Sequence, residues 1–129
     1  MNKNNKLRLF LIPMMLTLSS AIMAMAWLGH LKYKEDLSFL TAALLAWLLV
    51  LPEYLLNVSA IRWGVGVYQP SEMGAMNLSS GIVFVALVSN YFLGEELTIQ
   101  KYIGFGLMII AMILIAEPRS AATKNQNER

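Results

Sequence analysis

The chain has 129 residues, of which 57% are hydrophobic and only 14% are charged, and its formal net charge is +2. Soluble domains carry about 25% charged residues, so this composition excludes an ordinary soluble domain. The sequence contains no Cys and one His, which excludes disulfides, thiolate catalysis and His- or Cys-based metal clusters. It also lacks a Gly-rich phosphate loop and a nucleophile–base pair, so we expect neither an enzyme nor a bound cofactor.

Four apolar runs follow one another along the chain and predict an all-α, integral membrane bundle of four transmembrane helices. About 20 apolar residues are enough to cross a hydrocarbon core of about 30 Å. The predicted spans cover residues 9–28, 37–61, 72–93 and 98–116, which form one transmembrane domain over residues 9–116. Residues 1–8 and 117–129 are polar and are predicted to be tails.

The first run carries polar and aromatic residues along one helical side. Ser19, Met23, Trp27 and His30 recur there at helical spacing. His30 either changes its charge near neutral pH or anchors the helix end at the interface. Trp27 lies near the same end and is a candidate for lining a pathway.

The second run contains a carboxyl group, Glu53, directly after Pro52. A carboxylate inside a membrane costs about 2.5–3.5 kcal/mol on insertion scales, so it usually faces a cavity, a partner or the bundle interior. Glu53 is therefore either a site for a proton or a cation, or a neutral or paired side chain that stabilises packing. Pro52 cannot donate to the Leu48 carbonyl, and a neutral Glu53 could do so, so the two residues are predicted to act as one device.

Other residues of the second and third runs extend this candidate site. Asn57 shares a helical face with Glu53, and Trp47 either offers its π-face to a cation or packs as an apolar side chain. Asn57 and Asn77 either join helices by hydrogen bonds or line the pathway. The candidate substrate or proton pathway is Glu53, Trp47, Tyr54, Asn57, Trp27, His30 and Asn77.

The loops set the orientation of the bundle. Residues 62–70 contain glycines and a proline and are predicted to form the second loop, with Ser71 as the N-cap of the third helix. The side that carries the N-terminus has more basic residues, and the positive-inside rule therefore places both termini in the cytoplasm of a bacterial inner membrane. Seven basic residues lie on that side (Lys3, Lys6, Arg8, Arg62, Arg119, Lys124 and Arg129) and three on the other (Lys32, Lys34 and Lys101). Because they lie at helix ends, the net charge does not indicate a nucleic-acid partner.

Two stretches resemble known families. Residues 93–114 (LGEELTIQKYIGFGLMIIAMIL) are similar to the closing hairpin of drug/metabolite transporter superfamily repeats, where a Gly-Glu turn precedes a Thr and a Gly-bearing last helix. Residues 26–32 (AWLGHLK) and 46–67 (AWLLVLPEYLLNVSAIRWGVGV) resemble a small four-helix bacterial family of that superfamily, the domain-of-unknown-function 486 group. The resemblance extends over about residues 9–118. The matching residues are Gly94, Glu95, Thr98 and Gly104 in the first pattern and Trp27, Gly29, His30, Lys32, Trp47, Glu53, Tyr54, Arg62, Gly64 and Gly66 in the second.

The resemblance implies a four-helix fold and a transporter-like class. In the third helix the family pattern is more polar, with ionisable residues where this chain has Gly74 and Leu78, so this chain departs from any site built on those positions. The resemblance singles out Trp27, His30, Trp47, Glu53, Tyr54 and Arg62 as residues to test.

We therefore expect a small transporter in a lipid bilayer that moves a small molecule and is coupled to protons through Glu53. The alternative is a non-transporting membrane subunit or an assembly protein, in which Glu53 only stabilises the bundle. Four helices enclose little space, so a transporter of this size is expected to be at least a homodimer or to have a partner membrane subunit.

Overall fold

A computed structural model describes residues 2–115 of the chain. In that part the backbone forms four α-helices and no strand, and three of its helical spans are long and apolar enough to cross a membrane. The helices are α1 (Lys3–Leu28), α2 (Phe39–Gly64), α3 (Pro70–Leu87) and α4 (Ile99–Ile115), with a 3₁₀ segment (Gly29–Tyr33) after α1 and a π-helical segment (Val88–Phe92) after α3. The predicted all-α, four-helix membrane fold is confirmed.

The first helix begins earlier than the apolar run predicts. It starts at Lys3 rather than at residue 9, so the polar residues before the run are helical as well. Arg8 lies in this extension, where its Nε donates to the Trp63 carbonyl at 2.9 Å and its Nη2 donates to the Val65 carbonyl at 2.8 Å. Arg8 thus satisfies carbonyl groups at the end of α2 and holds the first turns of α1 against that helix.

The second loop is shorter than predicted because helices extend into it from both sides. The second helix continues to Gly64, and Gly66 then takes φ +88°, a conformation that glycine adopts without strain. The third helix begins at Pro70, whose ring is preset for the first helical position. The N-cap is therefore Gln69, whose N–H donates to Glu72 Oε2 at 2.7 Å, and the prediction of Ser71 as the N-cap is wrong.

The fourth helix agrees closely with the predicted span. The fourth helix covers Ile99–Ile115, and the Oγ1 of Thr98 accepts from the Lys101 N–H at 3.4 Å just before it. Residues 116–129 lie outside the described part of the chain. The last residue of the predicted fourth span and the predicted tail at 117–129 fall there, and the cytoplasmic location of both termini stays a prediction.

The first helix occupies the centre of the arrangement. Both α2 and α3 pack along it, whereas α4 packs against α3 and has no Cα within 8 Å of α1 or α2. The buried apolar core lies toward the end of the bundle that carries Lys3, which we call the N-terminal end. That core consists of Ile12, Leu16, Ala60 and Met73.

The N-terminal end also satisfies a backbone group that a proline leaves unpaired. Pro13 lies inside α1 and has no N–H to donate to the carbonyl of Leu9. The Tyr68 hydroxyl, from the loop before α3, donates to that carbonyl at 2.8 Å. Pro13 therefore stays inside the helix without leaving a polar group unpaired in hydrocarbon.

The opposite end is held by contacts of a different kind. The Lys32 ammonium lies 4.4 Å from the centroid of the Phe92 ring, which joins the 3₁₀ segment to the π-helical segment. Asn90 Nδ2 donates to the Glu95 carbonyl at 3.1 Å, and Glu95 forms an ion pair with Lys101 in α4. These contacts connect the ends of α1, α3 and α4.

The close contact of α2 with α1 and α3 in the N-terminal core depends on Gly64. A Cβ placed there would overlap the Met73 sulfur and lie 3.3 Å from Ile12 Cγ2. Both of those side chains are fully buried, so they have little room to move aside. The missing side chain therefore lets the end of α2 touch α1 and α3 together.

We expect Gly64→Ala to lower the free energy of unfolding by about 1 kcal/mol or more, because overpacking a dense core is costly. Gly74→Ala is the matched control, since a Cβ at Gly74 meets nothing within 4 Å. The control should be neutral or should stabilise α3 by up to about 1 kcal/mol through helix propensity. Unfolding in mixed detergent micelles measures both, and equal stabilities would contradict the role of Gly64.

Candidate functional site

The candidate site is centred on Glu53 in the middle of α2. Its side chain is only 3% exposed, and it lies on the one stripe of α2 that faces α1. Asn57 lies one turn further along the same stripe and is half-buried. The shared helical face predicted for these two residues is confirmed, because both contact the same side chain of α1.

That side chain is Ser19, which is fully buried. Its hydroxyl donates to Glu53 Oε1 at 2.6 Å and accepts from Asn57 Nδ2 at 3.1 Å. A serine hydroxyl has one proton, and the proton here is directed at the carboxyl group. The result is a directed chain of hydrogen bonds from Asn57 through Ser19 to one oxygen of Glu53.

The other carboxyl oxygen has no partner. Within the described residues, Glu53 Oε2 is buried and makes no hydrogen bond. Leaving a buried polar atom unpaired costs about 1–3 kcal/mol, and more for a charged group. Oε2 is therefore the carboxyl oxygen whose hydrogen-bonding capacity the described residues leave unused.

The sequence-based prediction that Glu53 pairs with the break at Pro52 is wrong. Pro52 lies inside α2, but the carboxyl bonds to Ser19 across the helix interface instead of to the Leu48 carbonyl of its own helix. The physical reason is direction, because the Glu53 side chain points from the α2 stripe toward α1. At that interface the Ser19 hydroxyl donates to the carboxyl group at 2.6 Å.

A second polar contact joins α1 to α3 at a similar depth. The Ser20 hydroxyl lies 2.7 Å from both the carbonyl oxygen and Oδ1 of Asn77, and 2.9 Å from the Leu16 carbonyl. Because Ser20 follows Ser19 directly, the two hydroxyls point about 100° apart around the helix and reach different neighbours. Adjacent serines thus connect α1 to α2 and to α3.

A cavity of about 350 Å³ lies beside these polar groups. Its volume is at the lower end of the range for small-molecule pockets. The walls come from all four helices and are apolar except at the end that holds Glu53, Ser20 and Asn77. The lining residues are Ser20, Met23, Ala24, Trp27, Glu53, Asn77, Leu78, Gly81, Ile82, Val85, Phe105 and Met108.

The structure brings together some of the predicted site residues. Glu53, Trp27 and Asn77 line the cavity, and Asn57 contacts Glu53 through Ser19. The predicted side of α1 with Met23 and Trp27 is the side that forms the cavity wall. His30 lies beyond the wall, in the 3₁₀ segment after α1.

Trp47 and Tyr54 lie outside the cavity. Their side chains are 59% and 62% exposed on the part of α2 that faces away from α1. Each residue turns a helix by about 100°, so positions six before and one after Glu53 point to other sides. The sequence assigns Trp47 and Tyr54 to the candidate pathway, but neither side chain lines the cavity within this chain.

Sequence reasoning missed several residues of the site as functional candidates. Ser19 and Ser20 carry the polar contacts, and Gly81 and Phe105 line the cavity. The signal for Ser19 was its helical spacing with Met23 and Trp27 on one side of the first run. The apolar wall residues have no such signal, because every spanning helix is rich in similar side chains.

The comparison with known proteins assigns the chain to a family. Residues 12–116 match a family model described as "Putative member of DMT superfamily (DUF486)". No curated protein and no solved structure matches the chain. Because the family match covers well over half of the sequence and agrees with the four-helix membrane fold, the chain belongs to the DUF486 family of drug/metabolite transporter type.

Proposed function

We propose that this protein is a small transporter in which a proton and a substrate bind in turn at Glu53. The observation that carries the proposal is the unpartnered, buried Oε2 of a carboxyl group that lines a cavity inside the span. Membership in a transporter-type family supports the same class of function. Intramembrane carboxyl groups usually mark such pathways.

Alternate occupancy by a proton and a cation provides the coupling. An ionised Glu53 attracts a cation, whereas a protonated Glu53 is neutral and has lost that attraction. One carboxyl group cannot hold both at once, so a cation that replaces the bound proton at Glu53 releases that proton. Transport that follows this order exchanges protons for a cationic substrate.

The hydrogen-bond chain supports this role by holding one side of the carboxyl group. Ser19 occupies Oε1, so a proton or ligand meets Oε2. Asn57 Nδ2 donates to the Ser19 hydroxyl oxygen, which leaves the hydroxyl proton of Ser19 directed at Glu53. Ser19 and Asn57 are therefore positioning residues rather than groups that touch the substrate.

We propose a homodimer as the working unit, with α2 at the interface. Trp47 and Tyr54 lie two turns apart on the exposed face of α2, near the middle of the span. A tyrosine hydroxyl at this depth has no water to bond to, and a second copy would offer a partner. The positive-inside count supports a bacterial inner membrane, with both termini in the cytoplasm.

We expect Glu53→Gln to abolish substrate-driven proton movement and to leave the oligomer intact. Proteoliposomes with a trapped pH-sensitive dye measure proton movement against a panel of cationic and metabolite substrates. Glu72→Gln is the matched control, because Glu72 is also buried but only caps α3. Coupled uptake that survives Glu53→Gln would disprove the mechanism, and lost assembly without a change in coupling would favour the non-transporting alternative.

We expect Ser19→Ala to weaken substrate binding about tenfold or more, since hydrogen bonds to charged groups contribute about 1.5–3 kcal/mol. Ser59→Ala is the control, because the Ser59 hydroxyl bonds only the Leu55 carbonyl of its own helix. Uptake titrations on both variants give the two apparent affinities. If Ser19→Ala and Ser59→Ala behave alike, Ser19 does not position the carboxyl group.

We expect Leu51→Cys to form a covalent dimer when membranes are oxidised. Leu51 is exposed between Trp47 and Tyr54 and lies near the centre of α2, so it is close to its own copy in a parallel or an antiparallel pair. The natural sequence has no Cys, so each variant carries a single thiol. Leu107→Cys, exposed at the centre of α4, should stay monomeric on the same gel, and cross-linking of Leu107→Cys alone would move the interface to α4.

A further inference from the structure

The cavity beside Glu53 has an open side between α1 and α4. These two helices form facing parts of its wall through Trp27 on α1 and Phe105 and Met108 on α4. They do not touch as helices, since no Cα of α4 lies within 8 Å of one in α1. The space between them is therefore not closed by helix packing.

The open side lies at the depth of the hydrocarbon. Leu78 and Met108 line the cavity and are nevertheless 56% and 48% exposed. Met108 is close to the centre of α4, and Leu78 is close to the centre of the span formed by α3 and its π-helical extension. Side chains exposed at mid-span face lipid chains or another protein rather than water.

Both ends of the bundle are more tightly joined than this side. The N-terminal end is closed by the packed core around Leu16 and Met73. At the other end the Lys32–Phe92 contact connects the segments that follow α1 and α3. The gap between α1 and α4 is therefore the entry that we assign to the cavity.

The polar end of the cavity is rich in acceptors. Glu53 Oε2 has no donor among the described residues. The single proton of the Ser20 hydroxyl is already surrounded by acceptors of Asn77 and Leu16. A ligand that fits this end brings its own N–H donors together with a positive charge.

We propose that the cavity binds a single-chain amphipathic primary amine that enters from the lipid hydrocarbon between α1 and α4. The ammonium group donates to Glu53 Oε2, and the alkyl chain lies along Trp27, Phe105 and Met108. A quaternary ammonium group has the charge but no N–H, so it leaves the carboxylate oxygen without a hydrogen bond. This inference rests on the proposed function, because it names the substrate class of the same carboxyl site.

Selectivity for the head group is tested with two probes of equal chain length. The full chain is placed in lipid nanodiscs, and saturable binding of dodecylamine is measured against empty discs. We expect dodecyltrimethylammonium to compete about ten- to a hundredfold more weakly, which corresponds to one lost hydrogen bond to a charged group. Equal competition, or no saturable binding of dodecylamine, would overturn the proposal.

The assignment of the cavity as the binding site is tested with substitutions that fill the cavity. We expect Met108→Trp to weaken dodecylamine binding about tenfold or more, whereas Ile110→Trp, exposed on another side of α4 at similar depth, should bind like the natural chain. Gly81→Leu fills the cavity from α3, where a Cβ meets nothing within 4 Å, and serves if Met108→Trp does not fold. Unchanged binding in a folded filling variant would overturn the proposal.

The direction of entry is tested with a nitroxide on Gly81→Cys. A cavity that opens to lipid makes the nitroxide accessible to oxygen, which concentrates in hydrocarbon, and inaccessible to a water-soluble nickel chelate. Accessibility to the nickel chelate equal to that of a nitroxide on Lys34→Cys, which lies in an exposed loop, would place the opening in water and overturn the side entry.

Failure of this inference is distinguishable from failure of the proposed function. Uptake of another substrate that depends on Glu53, without dodecylamine binding, would overturn the amine site and leave the transporter in place. Coupled uptake that survives Glu53→Gln would overturn the proposed function itself.

Discussion

Hydrocarbon offers no water to polar groups, and that constraint determines how these helices pair. Ser19 and Ser20 are neighbours in α1, and their hydroxyls bond Glu53 on α2 and Asn77 on α3. Shifting either helix by a turn would leave a carboxyl or an amide unpaired at a depth where that is costly. The two serines thereby define both the neighbours of α1 and the axial position of those neighbours.

The helices pack closely at the N-terminal end of the bundle and less closely toward the opposite end, and the cavity results from this difference. At the N-terminal end, Arg8 and Tyr68 satisfy free carbonyls, and the missing side chain of Gly64 permits dense packing. Toward the opposite end α4 packs against α3 and not against α1, so α4 does not fill the space beside Trp27. The open volume therefore adjoins the polar groups at mid-span and is sealed from the N-terminal end.

The two oxygens of the Glu53 carboxyl group, beside that cavity, differ in their partners. One oxygen of Glu53 is held by Ser19, whereas the other is unpaired and buried. In the function proposed above, the oxygen held by Ser19 keeps the carboxyl group in place while the other oxygen exchanges partners. The neighbouring wall is apolar, and Leu78 belongs to it. Glu53 is therefore the one ionisable side chain among the residues that line the cavity.

The sequence alone determined four helices, their approximate ends and the shared face of Glu53 and Asn57, because hydropathy and the helical period are local properties. It also determined that the first run has a side with Ser19, Met23 and Trp27. Only the tertiary structure decided that Glu53 meets Ser19 instead of Leu48, that Trp47 and Tyr54 point outward, and that α4 stands apart from α1. Ser19 and Glu53 are 34 residues apart, and spanning helices are apolar on every side that faces lipid. The rotation of each helix was therefore invisible in the hydropathy pattern and was decided by polar contacts between helices.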